Sequence, residues 1–176
     1  MKKIIFSLIF TFSAFIVCAQ KDYYVKEGPL KFTIPNDKWM PLPEKKNANN
    51  SCLLHFKRLG VKDSVGRKAF PEIVIIIEPV HANAELTDYS LNKQKPYKNL
   101  KKYRVEKVFT SSDGMLRLHY AVGQKNSYED ANGIKHTFYF IHAIKHHRGI
   151  QVIIDIPSDL FETYEEELVS VIKSLD

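Results

Sequence analysis

Ile73-Val74-Ile75-Ile76-Ile77 is apolar at every position and closes at Pro79. Successive side chains of a strand point to opposite faces. An unbroken apolar run therefore demands cover on both sides and excludes a sheet with one wet face. Ile150 to Ile156 makes the same demand again near the C-terminus. Both-face burial of two strands calls for helices above and below a sheet.

The remaining segments fit that frame. Leu30-Lys31-Phe32-Thr33-Ile34 alternates and stops at Pro35, and Ser51 to Leu59 reads as a second strand. Residues 45–50 and 60–71 are polar loops. Tyr103, Val105 and Phe109 share one face of a strand, Asp113-Gly114 is a two-residue turn signal, and Leu116, Leu118, Tyr120 and Val122 line the returning strand. A polar connection, 124–133, leads to a long aromatic strand from Ile134 to Lys145, and His146-His147-Arg148-Gly149 turns the chain. Two helices are expected. One spans 83–95, with Leu86, Tyr89 and Lys93 on one side and Pro96 at its end. The other follows Pro157, capped by Ser158 or Asp159. Its stripe is Phe161, Tyr164, Leu168, Val171, Ile172 and Leu175. Glutamates 162, 165, 166 and 167 precede Lys173, an order that suits the helix dipole. The expected fold is α+β: an antiparallel sheet of about six strands with helices on both faces, an α/β/α sandwich.

Residues 1–19 read as a cleavable export signal: Met1-Lys2-Lys3, an uncharged run Ile4 to Val17, and cleavage after Ala19. The run is shorter than the ~20 residues of a spanning helix. A signal ending in Ala-Gln resembles those of the Bacteroidota, which implies a periplasmic or secreted protein. Cys18 offers the alternative of lipid attachment and a membrane anchor. Loss of Lys2 and Lys3 takes the formal net charge from +6 to +4, too modest a surplus to mark a nucleic-acid binder. Residues 20–176 suit one domain. Cys52 is then the only cysteine, with no disulfide partner, and its strand context points to burial.

Phe32-Thr33-Ile34-Pro35 with Trp39, and a closing order of strand to Ile156, Pro157, Phe161 and a helix ending at Ser174-Leu175, resemble the PsbP-like superfamily. That superfamily includes the extrinsic photosystem protein and the Ran-binding nuclear-import factor. The resemblance spans most of residues 30–176 and rests on core and turn residues. It implies a fold and no catalytic set, and neither a photosystem-docking nor a Ran-binding surface has a counterpart here.

Among seven histidines, His136, His142, His146 and His147 cluster in sequence. His142 and His146 cannot share an ion, because four strand residues span about 13 Å. His142 shares a face with Asp155 if Arg148-Gly149 is the two-residue turn. That pair is either a hydrogen bond within the sheet or the start of a metal site. His119 lies near Glu106 and Arg117 on a polar face, either as an acid–base group or as part of a solvated ion-pair surface. Lys93, Lys95, Lys98, Lys101 and Lys102, interleaved with Tyr97 and Tyr103, form a basic run that either binds an anionic partner or is a solvated loop. Asp63-Ser64-Val65 resembles a Bacteroidota O-glycosylation acceptor, with Ser64 as the site. No nucleophile elbow, His-Glu-x-x-His, phosphate loop or dinucleotide fingerprint is present. The expected function is a non-enzymatic envelope accessory or interaction protein without a cofactor, whose partner is an envelope protein or surface ligand. The alternative is a small-ligand or metal-binding protein using the sheet-face histidines.

Overall fold

The computed structural model describes residues 20–46 and 51–176. The export signal at 1–19 and the lipid-anchor alternative at Cys18 lie outside the described residues.

The strands, in chain order, are β1 (Lys21–Val25), β2 (Leu30–Ile34), β3 (Trp39–Pro41), β4 (Lys45–Lys46), β5 (Cys52–Arg58), β6 (Val61–Lys62), β7 (Lys68–Ala69) and β8 (Glu72–Pro79). Helix α1 (Leu86–Gln94) precedes β9 (Lys101–Thr110), β10 (Ala121–Glu129), β11 (Lys135–Lys145) and β12 (Arg148–Pro157), and α2 (Phe161–Ser174) ends the chain. Seven strands form one antiparallel path, β3-β5-β8-β12-β11-β10-β9, with β4 paired to β5. The chain is thus a mixed α+β fold around a large antiparallel sheet. The loop expected at 60–71 contains the small β6–β7 hairpin, and β1, unforeseen from the sequence, pairs with β2.

The two apolar strands lie side by side near the middle of the sheet. Val152 faces Ile75 and Ile154 faces Ile73, all four with no exposed surface. They share one face with Tyr139, Ile141 and Ala143 of β11, and with Leu168, Val171 and Ile172 of α2 they form the main core. Burying such side chains contributes about 2 kcal/mol each. α2 meets this first face through Phe161, whose ring lies 5.8 Å from that of Tyr139. Glu167 on α2 accepts from Trp39 Nε1 at 2.5 Å and from Arg58 Nε at 2.9 Å. The C-terminus ties back through reciprocal Lys31–Asp176 backbone bonds.

The second face is covered unevenly. Val74, Ile76 and Ile153 are only half-buried. At one end Tyr89 of α1 donates to Glu78, and Ser90 meets His142. α1 has nine residues, about 14 Å of helix, too short to run along a ten-residue strand. The far end of this face, around Glu72, His136 and Asp155, is left open.

Two register expectations are corrected. Asp113-Gly114 is not a two-residue hairpin turn but part of the longer connection between β9 and β10. Gly114 adopts φ +70° as the end of a 3-10 turn, and β9 pairs with β10 from Thr110 opposite Val122. Leu116 and Leu118 are buried, but they belong to a connection and not to a strand. Residues 124–129 of the polar stretch read as a loop belong to β10. In the β11–β12 hairpin the two turn residues are His146 and His147, with φ +49° and +58°, and Lys145 faces Arg148. Gly149 lies in the strand, where a Cβ would come within 2.5 Å of the Tyr89 ring. Its small size serves close packing and not the turn.

Candidate functional site

The open end of the second face holds a hydrogen-bonded trio. In β11, His136 sits opposite Tyr128 of β10, and Asp155 of β12 sits opposite Phe138, one alternation along. This diagonal lets one carboxylate reach both rings. His136 Nδ1 donates to Asp155 Oδ1 at 2.9 Å, and Tyr128 OH donates to Oδ2 at 2.7 Å. The tyrosine and imidazole rings stack with centroids 4.9 Å apart. Burial pulls the His136 pKa down, but the hydrogen bond and charge of Asp155, with Asp130 and Asp159 behind it, outweigh burial and leave it raised. Burial and then Asp155 push the Tyr128 hydroxyl far up, so it stays a donor.

His136 and Asp155 open on a cavity of about 340 Å³. Asp63, Arg67 and Lys68 from the β6–β7 hairpin form one wall. Phe70 and Glu72 form another, and Asp130 and Ile134 from the β10–β11 turn close it. Glu72 bridges His55 and Lys57, both at 3.0 Å. Asp130 accepts the backbone N–H groups of Asn132 and Ile134, which build the turn and depress its pKa. Phe70 is half-exposed at the rim.

His142, the histidine singled out with Asp155, lies elsewhere. It faces Gln151, while Asp155 faces Phe138. The two are four strand residues apart, about 13 Å, so they form neither a pair nor a metal site. The four-residue displacement follows from the position of the turn. His142 is instead buried under α1. Gln94 Nε2 donates to Ser90 Oγ, which is hydrogen-bonded to His142 Nδ1 at 2.9 Å. Among the described residues, His142 Nε2 and Gln124 Oε1 are buried without a hydrogen-bond partner. Burial first, and Lys93 second, lower the His142 pKa from 6.5 to about 4. The ring is neutral at physiological pH.

Most of the basic run is already paired. Lys93 pairs with Glu78 at 2.5 Å, Lys95 donates to Asn92 at 2.7 Å, and Lys101 and Lys102 both converge on Glu129. Lys98 is exposed. Ser64 is exposed in the β6–β7 turn, its backbone N–H donating to Asp159. His119 and Arg117 are exposed in the connection before β10. Cys18 is not among the described residues. Cys52 is buried and donates to Glu44 Oε1 at 3.2 Å. Glu27 lies in the same group, its ligand-type atoms within 4.8 Å of the other two.

Sequence reading missed Tyr128 and the Asp63–Arg67 turn. One signal was present: the Asp130-x-x-Gly133 turn fixes the β10–β11 register and so brings Tyr128 beside His136. The Glu27–Glu44–Cys52 convergence carried no local signal.

No protein-family model matches this chain, and no characterised protein sequence matches it. Solved structures do. LpqN, involved in cell envelope biogenesis of Mycobacterium tuberculosis, superposes at a TM-score of 0.61 with 16 % identity over 90 % of each chain. Cyanobacterial PsbP from Synechocystis sp. PCC 6803 gives 0.59 with 10 % identity, over 93 % of this chain and 95 % of that one. The Saccharomyces cerevisiae Ran-binding protein Mog1p gives 0.56 with 7 % identity, over 90 % and 95 %. At these identities the likeness is one of fold. The chain has the PsbP-like fold, as the Phe32–Trp39 and Ile156–Leu175 segments led one to expect.

Proposed function

Taking the PsbP-like fold as premise, we propose that this chain is an exported, non-enzymatic accessory protein of the cell envelope that works by binding at the open end of its second sheet face. The carrying observation is the cavity at His136, where Arg67 and Lys68 of the β6–β7 hairpin stand with a histidine whose Nδ1 is committed to Asp155. None of the described residues lining the cavity is a serine, threonine or cysteine that His136 could activate as a nucleophile. The envelope role of LpqN is in keeping with this reading. Strand alternation also supports three layers, since α1 meets the row of His142 while α2 meets the row of Tyr139.

The test is made in the native host. Cell fractionation with intact-mass measurement is expected to recover an envelope or secreted species that begins at Gln20. Deletion is expected to raise sensitivity to detergent, with rescue by the wild-type gene and reduced rescue by His136→Gln. A full-length precursor confined to the cytosol would overturn the reading. So would a deletion strain with unchanged detergent sensitivity.

A further inference from the structure

We propose that the His136 cavity binds a ligand bearing an oxyanion, a carboxylate or a phosphate, attached to a body with an apolar face; this rests on reading the cavity as a binding site. Four carboxylates line the cavity, and each of their oxygens already accepts a bond. Asp63 Oδ1 accepts from Val65 N and Arg67 N, and Oδ2 from Arg67 Nε. Glu72 Oε1 holds Lys57 and Oε2 holds His55. Asp130 Oδ1 accepts two backbone N–H groups and Oδ2 accepts Asn132 Nδ2. Asp155 is shared by His136 and Tyr128.

The donors are not saturated. Arg67 uses Nε alone on Asp63, and its side chain is 59 % exposed, so both terminal nitrogens remain open. Lys68 is exposed on the same wall. His136 lines the same cavity and spends Nδ1 on Asp155, so Nε2 is its other ring nitrogen. Arg67 and Lys68, together with the His136 ring, thus face a space whose carboxylates are each held already by a cation or by N–H and O–H donors. A carboxylate oxygen can take a second bond, but a cationic ligand would share it with the group already there. An oxyanion bonds to Arg67 and Lys68 directly, and hydrogen bonds between charged groups are the strong ones. Phe70 at the rim and Ile134 on the wall supply apolar surface for the body of the ligand. The cavity volume of about 340 Å³ falls in the range of small-molecule sites.

The probes are benzoate and phenyl phosphate, which carry the two oxyanions on one ring, with benzyl alcohol and benzylamine as neutral and cationic controls. Histidine-ring and backbone NMR of the full chain reports binding. Saturable shifts at His136, Phe70 and Ile134 are expected from at least one of the two anions, and the better one identifies carboxylate or phosphate. The Arg67→Gln/Lys68→Gln double variant, altered only at exposed positions, is expected to weaken binding about tenfold or more, the size of one lost charge-assisted bond. His136→Gln is expected to weaken it as well. Absence of His136 shifts with both anions overturns the proposal, as does benzylamine binding at least as tightly. Anion shifts spread over remote lysines such as Lys98 and Lys173, unaltered in the double variant, also overturn it. Failure here leaves the accessory role standing. Release of phenol from phenyl phosphate would instead refute the non-enzymatic reading and keep the oxyanion site.

Discussion

Acidification is expected to loosen the sheet through His142. Its side chain is buried against Tyr89 and Ser90 of α1, beside Phe140 of its own strand and facing Gln151 of β12. Burial and Lys93 lower its pKa from 6.5 to about 4. Between those values the unfolded chain takes up a proton that the native state refuses, so each step down in pH favours unfolding. The stability due to the neutral ring is complete above about pH 6.5 and is lost as pH falls toward 4. At about 1.4 kcal/mol per pH unit the whole loss is about 3 kcal/mol, of which about 2 kcal/mol falls between pH 7 and pH 5. His136 acts in the opposite sense. Its raised pKa gives stability that is present below about 6.5 and fades as pH rises through the folded value. The depressed carboxylates Glu129, Asp130 and Glu167 lose their contribution only at the acid end, below about pH 4.5. Urea unfolding at pH 7, 6 and 5 of the wild type and His142→Phe isolates the effect. The variant loses the Ser90 bond at every pH, but its stability should fall with pH by about 2 kcal/mol less than that of the wild type. Parallel curves would refute the reasoning. So would a His142 ring that titrates near 6.5 in the folded protein by NMR.

Other perturbations have defined outcomes. Asp155→Asn removes the charge that holds the His136 pKa up, so the His136 titration should move to lower pH in a histidine NMR series; an unmoved midpoint would dissociate the pair. Glu167→Gln leaves the Arg58 guanidinium, 7 % exposed, without its counter-charge. A loss of about 3 kcal/mol is expected from chemical denaturation, and a loss under 1 kcal/mol would mean the pair is more hydrated than its geometry indicates. Gly123→Val would drive a Cβ to 2.2 Å from the Phe109 ring, and overpacking of this kind should cost about 1–3 kcal/mol and lower the melting temperature.

Much of the architecture was legible because burial follows local periodicity. The Ile73–Ile77 run became β8, the Phe161–Leu175 stripe became α2, and the 83–95 reading held α1 at Leu86–Gln94. Pro35, Pro96 and Pro157 punctuate segments where the sequence has them, since proline removes a donor whatever surrounds it. The turns were less legible. Two non-glycine residues with positive φ make the β11–β12 turn, within a four-residue run, His146 to Gly149, that leaves the register open, and Asp113-Gly114 ends a 3-10 turn inside a longer connection.

The sequence by itself determined an α+β chain with a continuous apolar face on β8 and β12, because side-chain alternation and helical spacing are properties of neighbours along the chain. Only the tertiary structure decided which polar groups meet. A displacement of four residues in one hairpin gave Asp155 to His136 and left His142 under α1. Hairpin register is fixed by turn conformation and by the cross-strand packing of both faces at once, and the short α1 leaves one end of the second face open. The cavity at His136 is a product of those two long-range facts.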